Sequence, residues 1–297
     1  MTATDEPVPP PDEARAPAPS VAAGTPPPPT ALVKRHRLST RIWHWTNAVT
    51  LFVMLMSGLM IFNAHPRLYW GHYGANSDYA WLEIGADDGG GYVRVGETRI
   101  GTTGLAGQWT RSDGRVERRA FPGWATIPSN YDLAGARRWH LAFAWLFAFG
   151  LLFFMLRALW NKHAQRELTP GLSELKPRHL WQEVKDHARL RFARGEAALK
   201  YNTLQKISYF VVVFLLLPAM IFSGLAMSPA MDANWPWLVD MFGGRQSARS
   251  VHFIVAFLLV GFVIVHLLMV LLAGPVREVR AMITGWYRVS QPKGPEQ

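Results

Sequence analysis

The sequence contains no cysteine. That excludes disulfide bridges, iron–sulfur ligation, zinc fingers and thioether attachment of a cofactor. Any metal must be held by His, Met or carboxylate. Charge is scarce as well: Asp, Glu, Lys and Arg make up 18% of the 297 residues, against about 25% in soluble domains. The N-terminus lacks the apolar core of a secretory signal peptide, so none is expected. There is no glycine-rich nucleotide loop and no nucleophile constellation. Substrate chemistry is therefore expected to belong to a partner.

What remains is apolar and basic. Hydrophobic residues reach 49%, with 13 Trp and 16 Phe, and 31 Lys and Arg against 21 Asp and Glu leave a net charge of +10. Residues 1–33 are Pro- and Ala-rich, including Pro26-Pro27-Pro28-Pro29. Such a stretch cannot bury enough surface to fold, and it predicts a disordered tail. Four apolar blocks follow, at Ile42–Phe62, Trp139–Leu159, Ile207–Met227 and Val251–Ala273. Each is long enough to cross a hydrocarbon core of about 30 Å as a helix. The expected fold is an all-α integral membrane bundle of four transmembrane helices, spanning residues 34–290.

The basic residues set the orientation. The segment Arg157–Lys200, which covers most of the loop 160–203, carries ten Lys or Arg against five acids, and Arg277, Arg280 and Arg288 follow the last block. Pro229–Arg249 has only two Arg and two Asp. Both termini and the 160–203 loop are therefore expected in the cytoplasm of a bacterium, with the chain in its inner membrane. The basic charge belongs to a membrane surface, and no nucleic-acid partner is expected. The connection at 63–136 is expected in the periplasm. Its alternating Tyr92–Ile100 run around Gly96-Glu97, and the turn signal Asp113-Gly114, predict β-hairpins inserted between helices 1 and 2.

Four of the ten histidines fall in the apolar blocks: His44, His140, His252 and His266. An ionisable residue inside a membrane helix is costly and points to function. His252 and His266 are fourteen residues apart on one helix, just under four turns and about 21 Å of rise, so they share a face at two depths. Chain direction puts His44 level with His266 and His140 level with His252. Two imidazoles per level is the requirement for bis-His ligation of two b-type haems. Interhelical hydrogen bonding is the plainer alternative for the same residues. Gly58, fourteen residues after His44, and Gly224 sit in similar segments, Ser57-Gly58-Leu59-Met60 and Ser223-Gly224-Leu225-Ala226-Met227. Missing side chains there let a flat macrocycle approach, or simply let helices pack closely. Arg41, Arg137, Arg138 and Arg249 lie near the ligand helix ends, where haem propionates need cations, or where they simply mark the membrane interface.

Arg41-Ile42-Trp43-His44-Trp45, Trp139-His140, and His252 with His266 resemble the bacterial cytochrome b561 and nickel–iron hydrogenase cytochrome b group. That group includes the gamma subunits of membrane formate dehydrogenases and the thiosulfate reductase-type subunits. Lys200-Tyr201-Asn202-Thr203-Leu204-Gln205-Lys206 resembles the formate dehydrogenase gamma motif, which implies that Asn202 donates to the carbonyl of menaquinone or ubiquinone. From the residues alone, Asn202 reads equally as a helix N-cap. The long 63–136 connection departs from the hydrogenase and formate dehydrogenase pattern. It leans toward the thiosulfate reductase type, whose partners are periplasmic molybdopterin oxidoreductases. The resemblance implies an electron-transfer subunit between such a partner and quinone. The alternatives are a stand-alone quinone-reducing cytochrome that oxidises a small reductant and, from another class, a non-haem anchor or transporter. A transporter would favour broken midplane helices, and Pro218 is the only interior breaker in these blocks.

Overall fold

Four helices long and apolar enough to cross a membrane dominate the architecture: Leu38–Phe62, Leu133–Trp160, Thr203–Ala226 and Arg245–Ala273, here the first to fourth spans. The computed structural model describes residues 31–160, 176–189 and 203–289. Each helix starts before its apolar block, because polar residues such as Arg41 and Arg138 occupy the turns outside the hydrocarbon. Outward positions are apolar, including Phe153, Ile264 and Leu271, all well exposed. Inward positions carry small hydroxyl residues, with Thr50, Ser57, Ser223 and Ser250 buried. This inside-out distribution is what lipid solvates, and the protein is an integral membrane protein.

The apolar core of the bundle lies between the two histidine depths. Met54 of the first span, Phe147 and Leu151 of the second, Leu217 of the third and Val255 and Leu259 of the fourth pack together there. Pro218 shapes the third span locally. Proline offers no N–H to the helix ladder, and the turn before it, Val212–Leu216, widens to a π-helix. The fourth span stops at Gly274, whose φ of 106° reverses the backbone. Pro275 then starts a short amphipathic helix, Pro275–Thr284.

That helix lies at what we call the terminal end of the bundle. Arg41 of the first span donates to the Ile283 carbonyl. Beside it, strand β1 (Ala31–Lys34) pairs antiparallel with the last strand, Trp286–Val289. The strand takes in Ala31, Leu32 and Val33, which the composition reading assigned to the Pro-rich tail. Their partners lie some 250 residues away in the chain, which local composition does not report. Residues 1–30 of that tail, and most of the 160–203 loop, lie outside the described residues. A helix at Pro177–Ala188 holds the start of the third span. The backbone N–H groups of Thr203 (3.2 Å) and Leu204 (3.0 Å) and the Thr203 hydroxyl (2.8 Å) all donate to the Glu183 carboxylate. These are donors a helix N-terminus otherwise leaves unsatisfied.

At the opposite, insertion end, residues between the first and second spans build two antiparallel sheets. Strands β2 (Arg67–Leu68), β3 (Leu82–Asp87), β4 (Gly90–Val95) and β5 (Thr98–Gly101) pair in sequence order, and β6 (Gly107–Thr110) pairs with β7 (Val116–Arg119). Leu68, Leu82, Ile84 and Ala120 pack on Phe62, the last residue of the first span, with Phe253 of the fourth alongside. Asn63 closes the neck of the insertion, donating from Nδ2 to the Phe121 carbonyl (3.0 Å) and accepting from the Phe121 N–H (2.7 Å). The fourth span is fastened here too. Its Gln246 and Ser247 N–H groups donate to the Gly71 carbonyl. Ser250 donates to the Tyr69 carbonyl (2.6 Å) and accepts from Trp81 Nε1 (3.0 Å). Two short helices, Pro229–Asn234 and Pro236–Met241, join the third and fourth spans at this end.

One buried carboxylate organises the larger sheet. Glu83 accepts from Arg67 (2.7 Å), Arg94 (2.5 Å) and the Tyr92 hydroxyl (2.9 Å). Burial alone pushes its carboxyl up, but the bonds from Arg94, Arg67 and Tyr92 outweigh it and hold it below the ordinary carboxylate value of 4.5. A depressed folded-state value means the stabilisation is present above the unfolded value and is lost as pH falls through the folded one. Glu83→Ala leaves two guanidinium groups without their acceptor, at a cost of about 2 kcal/mol. Limited proteolysis of the full chain in detergent should then cut between residues 67 and 119 faster than in wild type, with the helices intact. Acidifying the wild type through that lowered folded-state value should accelerate cleavage of the insertion in the same way.

Candidate functional site: two histidine pairs

The fourth span supplies one member of each pair. His252 and His266 project from one side of it at two depths, and each meets a histidine from a neighbouring span. At the terminal end the rings of His44 and His266 lie 6.3 Å apart, centroid to centroid, inclined at 56°. At the insertion end His140 and His252 are again 6.3 Å apart, inclined at 61°. His44 comes from the second turn of the first span and His140 from the second turn of the second, so chain direction alone sets their depths.

The spacing tests what the pairs can hold. A metal–imidazole bond of about 2.0–2.1 Å plus about 1.1 Å from nitrogen to ring centre puts two rings on one metal about 6.3 Å apart. Among the described residues no group of three or more His, Asp or Glu converges. A bare metal ion wants three or four protein donors. A site with only two imidazoles instead fits a macrocycle that brings its own in-plane nitrogens. The residues present therefore fit haem, one at each level.

The insertion-end rings are closely seated. Ser57 donates its hydroxyl hydrogen to the Val53 carbonyl (2.7 Å), so its oxygen is left to accept from His140 Nδ1 (3.1 Å). His140 Nδ1 also donates to the Met54 carbonyl (3.1 Å). Likewise Ser223 donates to the Ala219 carbonyl (2.6 Å) and accepts from His252 Nδ1 (2.9 Å). A proton on Nδ1 leaves Nε2 as the free lone pair, the tautomer a metal ligand needs. Gly58 and Gly224 complete these seats. A Cβ at Gly58 would stand 3.3 Å from His140 Cε1, and one at Gly224 would stand 3.4 Å from His252 Cε1. The space they leave is thus filled by the imidazole rings themselves. Sequence reasoning singled out the two Ser-Gly segments for the glycines and passed over the serines. The signal was there: Met54 and Met220 stand three residues before Ser57 and Ser223, repeating Met-x-x-Ser-Gly-Leu in the first and third spans.

The terminal-end pair is differently surrounded. His44 Nδ1 is buried without a hydrogen-bond partner among the described residues, and His266 stacks on Phe262 at 6.0 Å. Arg41, one turn before His44, is engaged with the Ile283 carbonyl, while its Nε is buried without a partner among the described residues. Arg249, one turn before His252, donates to the His65 carbonyl and lies over the Phe62 ring. Arg137 and Arg138 are exposed at the head of the second span. Asn202 lies outside the described residues. Its neighbour Thr203 is the first residue of the third span, at the terminal end.

The sequence matches the family model described as prokaryotic cytochrome b561 over residues 35–285. A protein of Azospira oryzae named as YedZ1, a protein-methionine-sulfoxide reductase subunit, is 30% identical over 153 residues, 52% of this chain and 72% of that one. A protein of Cupriavidus necator named as a Ni/Fe-hydrogenase B-type cytochrome subunit is 28% identical over 180 residues, 56% of this chain and 71% of that one. The family match spans all four membrane helices and both histidine pairs. The chain belongs to the prokaryotic cytochrome b561 family of membrane electron-transfer cytochromes, for which binding of haem b is expected.

Proposed function

We propose that the chain is the di-haem membrane subunit of a bacterial inner-membrane oxidoreductase, carrying electrons between a periplasmic catalytic partner and quinone. The observation that carries this reading is the pair of 6.3 Å histidine contacts at two depths of one bundle. When bound, the two haems supply one-electron carriers near each surface. His44 and His266 hold the terminal-end haem, and His140 and His252 hold the insertion-end one. Arg249 and Arg41 stand one turn from a ligand, where a propionate needs a cation. The excess of Lys and Arg around the terminal end supports placing that end, with both chain termini, in the cytoplasm. The insertion then faces the periplasm. The relatives' names, a reductase subunit and a hydrogenase cytochrome subunit, support an oxidoreductase partner there. We assign that partner to the molybdopterin type.

The quinone, menaquinone or ubiquinone, binds at the terminal end beside His44 and His266, with Asn202 donating to a carbonyl oxygen. The Glu183 carboxylate supports this by fixing Thr203, the next residue, at the start of the third span.

Purified protein should contain two haems per chain by the pyridine haemochrome assay. His44→Ala and His266→Ala should abolish one redox component, and His140→Ala and His252→Ala the other. Loss of the same component in His44→Ala and His140→Ala would break the pairing. A reporter fused after Gln297 should read cytoplasmic and one inserted at Gly114 periplasmic, and the inverted result removes the orientation. Asn202→Ala should keep both haem spectra. Losing a hydrogen bond worth about 0.5–1.5 kcal/mol should slow quinol-driven haem reduction several-fold in stopped flow. An unchanged rate moves the quinone elsewhere.

A further inference from the structure

The insertion-end seats are alike in more than their glycines. In the first span, Met54 offers its carbonyl, Ser57 its hydroxyl oxygen and Gly58 a missing side chain, all to His140. In the third span, Ser223 and Gly224 face His252 in the same way. The Ser-Gly pair thus builds one seat twice, to which the first span adds the Met54 carbonyl. One helical turn brings a carbonyl at i and a hydroxyl at i+3 to the same face. Glycine at i+4 then lets the imidazole close to van der Waals distance. Ser57 and Ser223 are both fully buried, and each hydroxyl hydrogen is spent on its own helix. Each oxygen is therefore a pure acceptor, aimed at an Nδ1–H.

We propose that Ser57 and Ser223 are positioning residues for the insertion-end haem: they fix the tautomer and plane of His140 and His252 and, by accepting from Nδ1, lower the reduction potential of that centre alone. An imidazole whose N–H is drawn toward an acceptor is a more basic ligand, and a more basic ligand favours the oxidised iron. At the terminal end, His44 Nδ1 has no such acceptor among the described residues. His44 therefore lacks the polarising contact that His140 and His252 have. The assignment rests on the bis-His reading above and asks which residues orient and polarise the ligands.

The test is redox titration of the detergent-purified full chain, with low-temperature EPR of the oxidised state. Wild type, Ser57→Ala, Ser223→Ala, the double alanine variant and the matching Ser→Thr variants are compared, with His140→Ala included to mark the insertion-end component. In the alanine variants the midpoint of that component should rise and its g-values should shift, because ring orientation is released. The double variant should move furthest, and the other component should stay in place. Threonine retains the hydroxyl and should return both readouts toward wild type. Loss of the insertion-end haem in the alanine variants, restored by threonine, equally supports the seat. The proposal is overturned if both haems are retained and neither readout moves. It is also overturned if both components shift together, or if threonine fails to restore what alanine removes. A wild-type preparation with a single haem, or His140→Ala retaining both, would instead sink the underlying ligand assignment.

Discussion

An imidazole in hydrocarbon must be partnered, and the fourth span carries two of them fourteen residues apart. Much of the bundle follows from that demand. The spacing is close to four helical turns, so both rings emerge on one side of one helix and cannot be served by the same neighbour at the same depth. The first span enters from the terminal end and brings His44 to one level. The second enters from the insertion end and brings His140 to the other. Between the levels the chain is free to be purely apolar, and Met54, Phe147, Leu151, Leu217, Val255 and Leu259 fill that space. Around the rings at the insertion end, Ser57, Gly58, Ser223 and Gly224 keep the helices small.

Helix count, chain direction and the convergence of His44 with His266 and of His140 with His252 were legible in the sequence. Each rests on a one-dimensional rule: length of an apolar run, alternation of entry side, residues per turn. What was not legible depends on contacts between distant segments. Ala31–Val33 read as the edge of a Pro-rich tail, yet their backbone pairs with residues 287–289. Gly58 and Gly224 were noticed as gaps, but only the packed helices show that imidazoles occupy them. The serines beside them were hidden by habit. A buried serine in a membrane helix ordinarily bonds its own backbone, and both do so. The second bond, to a histidine on another span, needs the third dimension.

The two ends of the bundle solve different problems. At the insertion end the helices run into ordered sheet, and hydrogen bonds from Ser250 and to Gly71 join it to the fourth span two to six residues before His252. At the terminal end the fourth span turns at Gly274 into a helix whose apolar residues Val276, Val279 and Ile283 point away from the protein. Arg277 and Arg280 flank that stripe, a pattern suited to lying in a lipid interface.

Asn63 and Phe121 are 58 positions apart, yet two hydrogen bonds tie the Asn63 side-chain amide to the Phe121 backbone. Every strand from β2 to β7 hangs from that clasp. Closing a loop costs free energy that grows only as the logarithm of its length. The strands beyond the points fastened to the fourth span, at Tyr69, Gly71 and Trp81, can therefore vary in length at little entropic cost. In engineering terms the membrane bundle is a socket and the sheet a plug keyed to it at those points.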